Sequence, residues 1–543
     1  MENLYYILIV GGLFFIGLII LMVRFTKNRG MSFVIGCLLY MLVIYAIGYY
    51  GKPYLSIEFE PFLVKYGAPS YSLALVIGAL IVFTSKDKKS VKKSYNFTPI
   101  ELSVQNGRNI KFMDPFNNFL VYAGANTGKT KSIGKPLLKG FVENKFAGMI
   151  YDLKEFDYTK AAYHFIKETG YDGSFYYVNF TDMSRTYRFN PLSVAAIPSS
   201  DDLPQLGEDL IRAYLPEGQK LNDWGLGGLG LLQGLMIRFR KDYPQYCTWP
   251  HISNFALHNS NKHLISFLEK DAQAKSLAGA FLDSKDSPKQ LSGYKSSLTN
   301  YIGKLAYNKN ICYVLSGNDF DFNLLDPEDP KLFAISNNYA LRNILGPIMG
   351  MLVKISSRRF TMSNKIPFVY FMDEATTFKI DNFEEMPSEL REYLCAFVFI
   401  TQSQSKISAL YGEKALSSME SNFANVFFGR TGDTVAQKRY VQQFDKIDEV
   451  KKTYSRSSGT HSSSSGHSQR VDKVAKYETS FFKHLPAGEF VGYGSNSNYN
   501  EFHLKLNMMQ FPEELELPIV RSVSESDIEA NYIEIINTIK NLY

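Results

Sequence analysis

Apolar and polar positions follow three rhythms along this chain, and each predicts a different kind of element. Leu4–Val23 and Met31–Tyr50 are apolar runs long enough to cross a hydrocarbon core, and Tyr71–Thr84 is a third, weaker one. From Asn96 onward, short apolar runs read as buried strands: Phe119–Tyr122, Phe146–Asp152 and Ser174–Asn179. A helix is expected over Lys129–Val142, with Pro136 bending it or ending it early. From about Val194 to Asn318 the periodicity is almost wholly helical, over Asp202–Tyr214, Trp224–Lys241, His263–Phe281 and Ser287–Leu305. Strands return at Lys331–Ser336, Pro367–Met372, Phe397–Thr401 and Ala424–Phe428. Ser455–Ser468 is Ser-rich and polar and predicts a mobile loop, with His461 and His467 solvated rather than holding a metal. Ser522–Tyr543 reads as a modest amphipathic helix.

Alternating strands and helices predict an α/β body with a parallel-type central sheet covered on both faces, interrupted by an all-helical insertion. The expected division is a membrane anchor at 1–95, the α/β body at 96–193 and 319–520, the helical domain at 194–318, a disordered loop at 455–470 and a C-terminal helix or tail at 521–543.

Composition narrows this picture only slightly. With 543 residues and 45% apolar content, the chain can bury a large core. Its net charge of +6 is too modest to argue nucleic-acid binding by itself. The four cysteines (Cys37, Cys247, Cys312, Cys395) are scattered without a CxxC pair, which fits a reducing compartment and argues against structural zinc. Local charge is more informative. Arg24, Lys27 and Arg29 follow the first apolar run, and Ser85–Lys93 holds five lysines after the third. Both belong on the cytoplasmic side, so three spans put the N-terminus outside and everything beyond Lys86 inside. Leu4–Val23 is long for a signal peptide and lacks an A-x-A end.

The chemistry begins at the end of the Phe119–Tyr122 strand. Gly124, Ala125, Asn126, Thr127, Gly128, Lys129 and Thr130 have the order of a phosphate-wrapping loop. Small residues let backbone N–H groups approach the phosphates, Lys129 reaches the terminal oxygens, and the Thr130 hydroxyl ligates Mg²⁺. The usual first glycine is replaced by Ala123, which is tolerable where φ is negative. Such a loop needs an acidic partner, and Pro367–Met372 runs into Asp373-Glu374. Asp373 is expected to complete the Mg²⁺ site and Glu374 to polarise the attacking water of an ATP hydrolase. Gln402, at the tip of the next strand, is the candidate γ-phosphate sensor. Arg391 and Arg430 compete for the role of an arginine reaching a neighbouring subunit's nucleotide.

The order of these parts, together with YDLKE (Tyr151–Glu155), RFNPL (Arg188–Leu192), FMDEA (Phe371–Ala375), ITQSQSKI (Ile400–Ile407) and LPAGEF (Leu485–Phe490), resembles the type IV secretion coupling proteins, the TraG-like conjugation ATPases. The resemblance implies a RecA-like P-loop motor that assembles as a homo-hexamer in the bacterial inner or plasma membrane, with its ATPase domain cytoplasmic. It implies a helical domain that receives a relaxase bound to single-stranded DNA and hands it to type IV secretion channel components. It also favours Arg391 over Arg430. Two departures stand: YDLKE lacks the family's proline and glycine, and three spans are counted where the family usually has two. The rival functions are an FtsK- or HerA-like DNA translocase and a docking receptor with a vestigial ATPase.

Overall fold

The four-residue apolar run Phe119–Tyr122 is too short for a helix, and it folds as a strand buried along its whole length. It lies at the centre of the architecture seen in a computed structural model, which describes residues 96–542 other than 217, 364, 460–461 and 513–514. The three expected membrane spans lie outside the described residues. Among the described residues, no helix is long and apolar enough to cross a membrane.

In chain order, β1 (Ile100–Leu102) and β2 (Ile110–Phe112) form a small antiparallel ribbon. Then come β3 (Phe119–Tyr122), α1 (Lys135–Glu143), β4 (Ala147–Asp152), α2 (Asp157–Thr169) and β5 (Ser174–Val178). The helical block holds α3 (Leu203–Ala213), α4 (Asp223–Asp242), α5 (Trp249–His258), α6 (Asn261–Leu268), α7 (Ala272–Leu277), α8 (Gly279–Asp283), α9 (Pro288–Tyr307) and α10 (Lys309–Leu315). The chain returns through β6 (Lys331–Ser336), α11 (Arg342–Ser357), β7 (Phe368–Met372), β8 (Cys395–Thr401), α12 (Gln404–Tyr411), α13 (Glu413–Ser421), β9 (Asn425–Phe428) and α14 (Thr434–Gln442). It ends with β10 (Lys446–Gly459), β11 (Ser462–Ala475), α15 (Thr479–His484), β12 (Glu489–Gly494), β13 (Glu501–Lys505) and α16 (Glu525–Asn541).

Nine strands form one sheet in the order β13-β12-β9-β3-β8-β7-β4-β6-β5. From β9 to β5 neighbouring strands are parallel, as the alternation of strands and helices requires, while β12 joins β9 antiparallel and β13 joins β12 antiparallel. Side chains alternate between faces, and the alternation divides the core in two. Leu120, Tyr122, Met149, Tyr370 and Phe397 pack on one face with the helical block and α11. Phe119, Val121, Ile150, Val369 and Val398 pack on the other with α1, α2 and the β1–β2 ribbon. The helical block therefore shares one continuous apolar core with a sheet face rather than burying a core of its own.

Three expectations are corrected. The helix after the phosphate loop opens with a π-helical turn, Thr130–Gly134, and becomes α-helical at Lys135 with Pro136 in its first turn. Proline has no N–H to donate and its ring would press on the carbonyl four residues back, and the wider π turn relieves both problems. His263–Phe281 is not one helix: it breaks where the Asp271 carboxylate accepts from the Ala274 N–H at 2.8 Å and starts α7. Within the Ser-rich stretch the described residues 455–459 and 462–468 are strand, the outer part of the β10–β11 hairpin, with Tyr454 opposite His467 and Gly459 opposite Ser462. Backbone pairing needs no apolar side chain, so polar composition does not forbid a strand. The expected C-terminal helix is present: α16 buries Ile535 and Ile539 and packs on α5 and α10.

Candidate functional site

The turns that follow β3, β4, β7 and β8 gather at one edge of the sheet, outside the carboxyl ends of its parallel strands, where α/β sheets bind ligands. β8 separates the phosphate-loop strand from the acidic strand β7, so residues after all three strands converge on one cavity of about 440 Å³. Its walls are the loop Gly124–Thr130 with Lys154, Glu374, Gln402, Ala487 and Met508. That volume lies in the range of small-molecule sites, about 300–1,000 Å³.

Each position of the loop has a local cause. Ala123 is fully buried and its N–H donates to the Thr401 carbonyl at 3.1 Å. It is not among the residues with positive φ, so alanine costs nothing there. Gly128 is the opposite case. Its φ is +86°, and an added Cβ would lie 2.9 Å from Met508 Cε and 3.1 Å from the Gly488 nitrogen. The loop is tied from the C-terminal side, where the Gly488 N–H donates to the Thr127 carbonyl at 2.8 Å and the Met509 N–H to the Lys131 carbonyl at 3.0 Å. Gly488 belongs to the LPAGEF segment, which is therefore a brace for the phosphate loop.

The structure brings several of the charged candidates together. Lys129 and Glu374 form an ion pair of 2.7 Å, with both side chains only 6% exposed. Lys129 also donates to the Ala123 carbonyl at 3.3 Å, and Gln402 Nε2 donates to Glu374 Oε1 at 3.2 Å. Glu374 sits in the left-handed region at φ 50°, ψ 46°, a conformation that a non-glycine residue holds only when its surroundings enforce it. Asp373 is completely buried, and neither of its carboxylate oxygens has a hydrogen-bond partner. Burial pushes its carboxyl up to about 7 against the pull of the Lys154 and Lys129 charges. An orphaned buried carboxylate, a nearby threonine hydroxyl and a lysine-bearing loop fit a nucleotide's phosphates with a hydrated divalent cation.

The two candidate arginines fall in different places. Arg391 precedes β8 and therefore lies at the opposite edge of the sheet from the cavity. It donates to Asp114 at 3.0 Å and to Asn117 at 2.6 Å, and the structure does not bring it to its own chain's site. Arg430 does touch the loop: its side chain donates to the Asn126 carbonyl at 3.3 Å, and its carbonyl accepts from the Gly124 N–H at 2.9 Å. Two contributors went unassigned. Lys154 reaches to 3.5 Å from the Thr130 hydroxyl, where its charge faces Asp373. Asp152, fully buried, accepts from the Tyr158 and Thr159 N–H groups and organises the turn that carries Lys154. Both lie in YDLKE, a strand end with a charge at its tip, which was the available signal. RFNPL has a joining role: Arg188 donates to the Tyr313 carbonyl and to Asn531 of α16, and Asn190 to the Cys247 carbonyl.

Residues 367–478 match the family model described as the TraM recognition site of TraD and TraG. The fold is similar to the unbound monoclinic form of the bacterial conjugative coupling protein TrwBdeltaN70, with TM-score 0.59 and 16% identity, covering 78% of this chain and 91% of that one. It is also similar to the plasmid coupling protein TrwB in complex with ADP and Mg²⁺ (TM-score 0.56, 16% identity, 74% and 87% covered). A third similar structure is TrwB with a non-hydrolysable ATP analogue (TM-score 0.56, 16% identity, 75% and 89% covered). The family model covers residues 367–478, and the likeness to these structures shows the fold. No curated protein matches the chain as a relative. The coupling-protein match begins at β7 and runs through Asp373, Glu374 and Gln402 to the end of the β10–β11 hairpin, so it includes the acidic half of the cavity.

Proposed function

We propose that this chain is a membrane-anchored ATPase that recruits a relaxase–DNA complex, or a protein substrate, and delivers it to a type IV secretion channel. The observation that carries the reading is the convergence of Lys129, Asp373, Glu374 and Gln402 on one cavity whose buried acid lacks a partner. ATP places its phosphates on the Gly124–Thr130 backbone. Lys129 leaves Glu374 for the terminal phosphate oxygens, and Mg²⁺ is held by Thr130 with Asp373. Glu374, released from its ion pair, accepts the proton of the attacking water, and Gln402 orients that water or the γ-phosphate.

The anchor is the three-span segment within 1–95, which fixes the motor at the cytoplasmic face of the inner or plasma membrane. Cargo docks on the helical block, and six copies assemble so that Arg391 of each reaches the next subunit's nucleotide. The location of Arg391 at the far edge of the sheet supports a role in trans and none in cis. Replacing Lys129 by alanine in the full chain tests the reading. ATP hydrolysis and transfer of a mobilisable plasmid are both expected to fall to background, and unchanged turnover overturns the assignment.

A further inference from the structure

The β10–β11 hairpin carries charge in a way that neither the cavity nor the sheet needs. It forms a two-stranded sheet of its own outside the nine-stranded one, with fourteen residues in each strand. Its acids, Asp448, Glu449 and Asp472, all lie at the base. From Lys451 to Arg470 the chain holds four cationic residues, Lys451, Lys452, Arg456 and Arg470, and no acid, with serine and threonine filling most other positions.

The two faces differ. On one, Lys451 and Arg470 are opposite each other and reach back to the basal acids, at 3.5 Å and 2.6 Å from Asp472. The other face stacks three rungs, Val450 with Val471, Lys452 with Gln469, and Tyr454 with His467. Among the described residues nothing pairs with Lys452. The Tyr454 and His467 rings meet edge to face at 4.9 Å, and Tyr454 stays 69% exposed. An aromatic ring beside an unpaired cation, on an acid-free ribbon rich in hydroxyls, matches the chemistry of a single nucleic-acid strand. Bases stack on rings, and phosphates take cations and hydroxyl donors.

We infer that the outer β10–β11 hairpin is a binding arm for single-stranded nucleic acid, through the face that carries Lys452, Tyr454 and His467. Its sequence tolerance follows from stacking and charge, neither of which reads base edges. The site stands apart from the ATP cavity and from the cargo role given to the helical block.

The test measures anisotropy of a fluorescent oligothymidylate with the full detergent-solubilised chain over a salt series. Replacing Lys452, the cation of that face, by serine is expected to weaken binding roughly threefold or more and to flatten the salt slope by about 0.7. Tyr454→Ala, a second variant with no change of charge, is expected to weaken binding roughly fivefold or more with the slope unchanged. Equal affinity in wild type and both variants overturns the site. So does loss of binding to a protein partner or to anionic vesicles while oligothymidylate affinity is kept. A wild-type chain that binds no oligothymidylate overturns it as well, while Lys129→Ala turnover and plasmid transfer still report on the coupling reading separately.

Discussion

Lys129 and Lys452 carry the same charge in opposite surroundings. Lys129 is nearly buried and already held by Glu374 at 2.7 Å, whereas Lys452 stands exposed on a strand without a partner. A buried ammonium cannot remain uncompensated, so the nucleotide-free cavity supplies its own anion, and a phosphate must replace that anion rather than merely approach it. An exposed ammonium loses little by waiting for a ligand. On the proposed function the cavity is a switch between two partners for one lysine, and on the inference above the hairpin attracts by charge and contact alone. This difference predicts large, specific effects for changes in the cavity and small, salt-dependent ones for changes on the hairpin.

The largest effect is expected from Asp373→Asn. It removes a buried carboxylate that has no hydrogen-bond partner among the described residues, so Mg²⁺-dependent hydrolysis should fall by about a thousandfold or more, with a raised Mg²⁺ requirement in a metal titration. Turnover at ordinary Mg²⁺ concentrations would remove Asp373 from the metal site. Next comes stability. Glu374→Gln removes the carboxylate ion-paired with the buried Lys129, so the nucleotide-free chain should lose about 3 kcal/mol, seen as a lowered Tm that MgADP restores. The hairpin variants should show no such loss, and an equal Tm drop in both would dissolve the contrast between the two lysines.

Gly128→Ala should cost about 1–2 kcal/mol and weaken nucleotide affinity, because its φ of +86° and the Met508 contact leave no room for a side chain. Normal ADP affinity in that variant would mean the loop rearranges before it binds. Smaller still, Gln402→Ala should reduce turnover by about tenfold with little change in nucleotide affinity, since its amide contacts Glu374 rather than the loop.

The seven parallel strands were legible because each is an apolar run too short for a helix, and both candidate ends of the site were read from Gly-Lys-Thr and Asp-Glu at strand tips. Ala123 was legible as tolerable, and its φ and burial agree. What escaped depends on contacts between distant residues. Nothing local in β12 or β13 signals that they extend the sheet, or that Gly488 braces Thr127 across the whole length of the domain. The break inside His263–Phe281 rests on one capping aspartate in an otherwise helical pattern. The hairpin was hidden by its serines, which supply no period-two apolar signal even though the backbone pairs regularly. Arg391 was read from its place before β8 as an arginine acting on a neighbour's nucleotide, and the direction of β8 carries it to the far edge of the sheet, away from its own cavity.

The central claim is that Glu374 exchanges an ion pair with Lys129 for the activation of water once phosphate arrives. Turnover and MgATP affinity of Glu374→Gln, measured side by side on the full chain, test it most directly. The account predicts affinity equal to or tighter than wild type, because Lys129 no longer has to leave an anion, with turnover lowered by about a hundredfold or more. Turnover like that of the wild type, or an affinity lost together with it, would contradict the account.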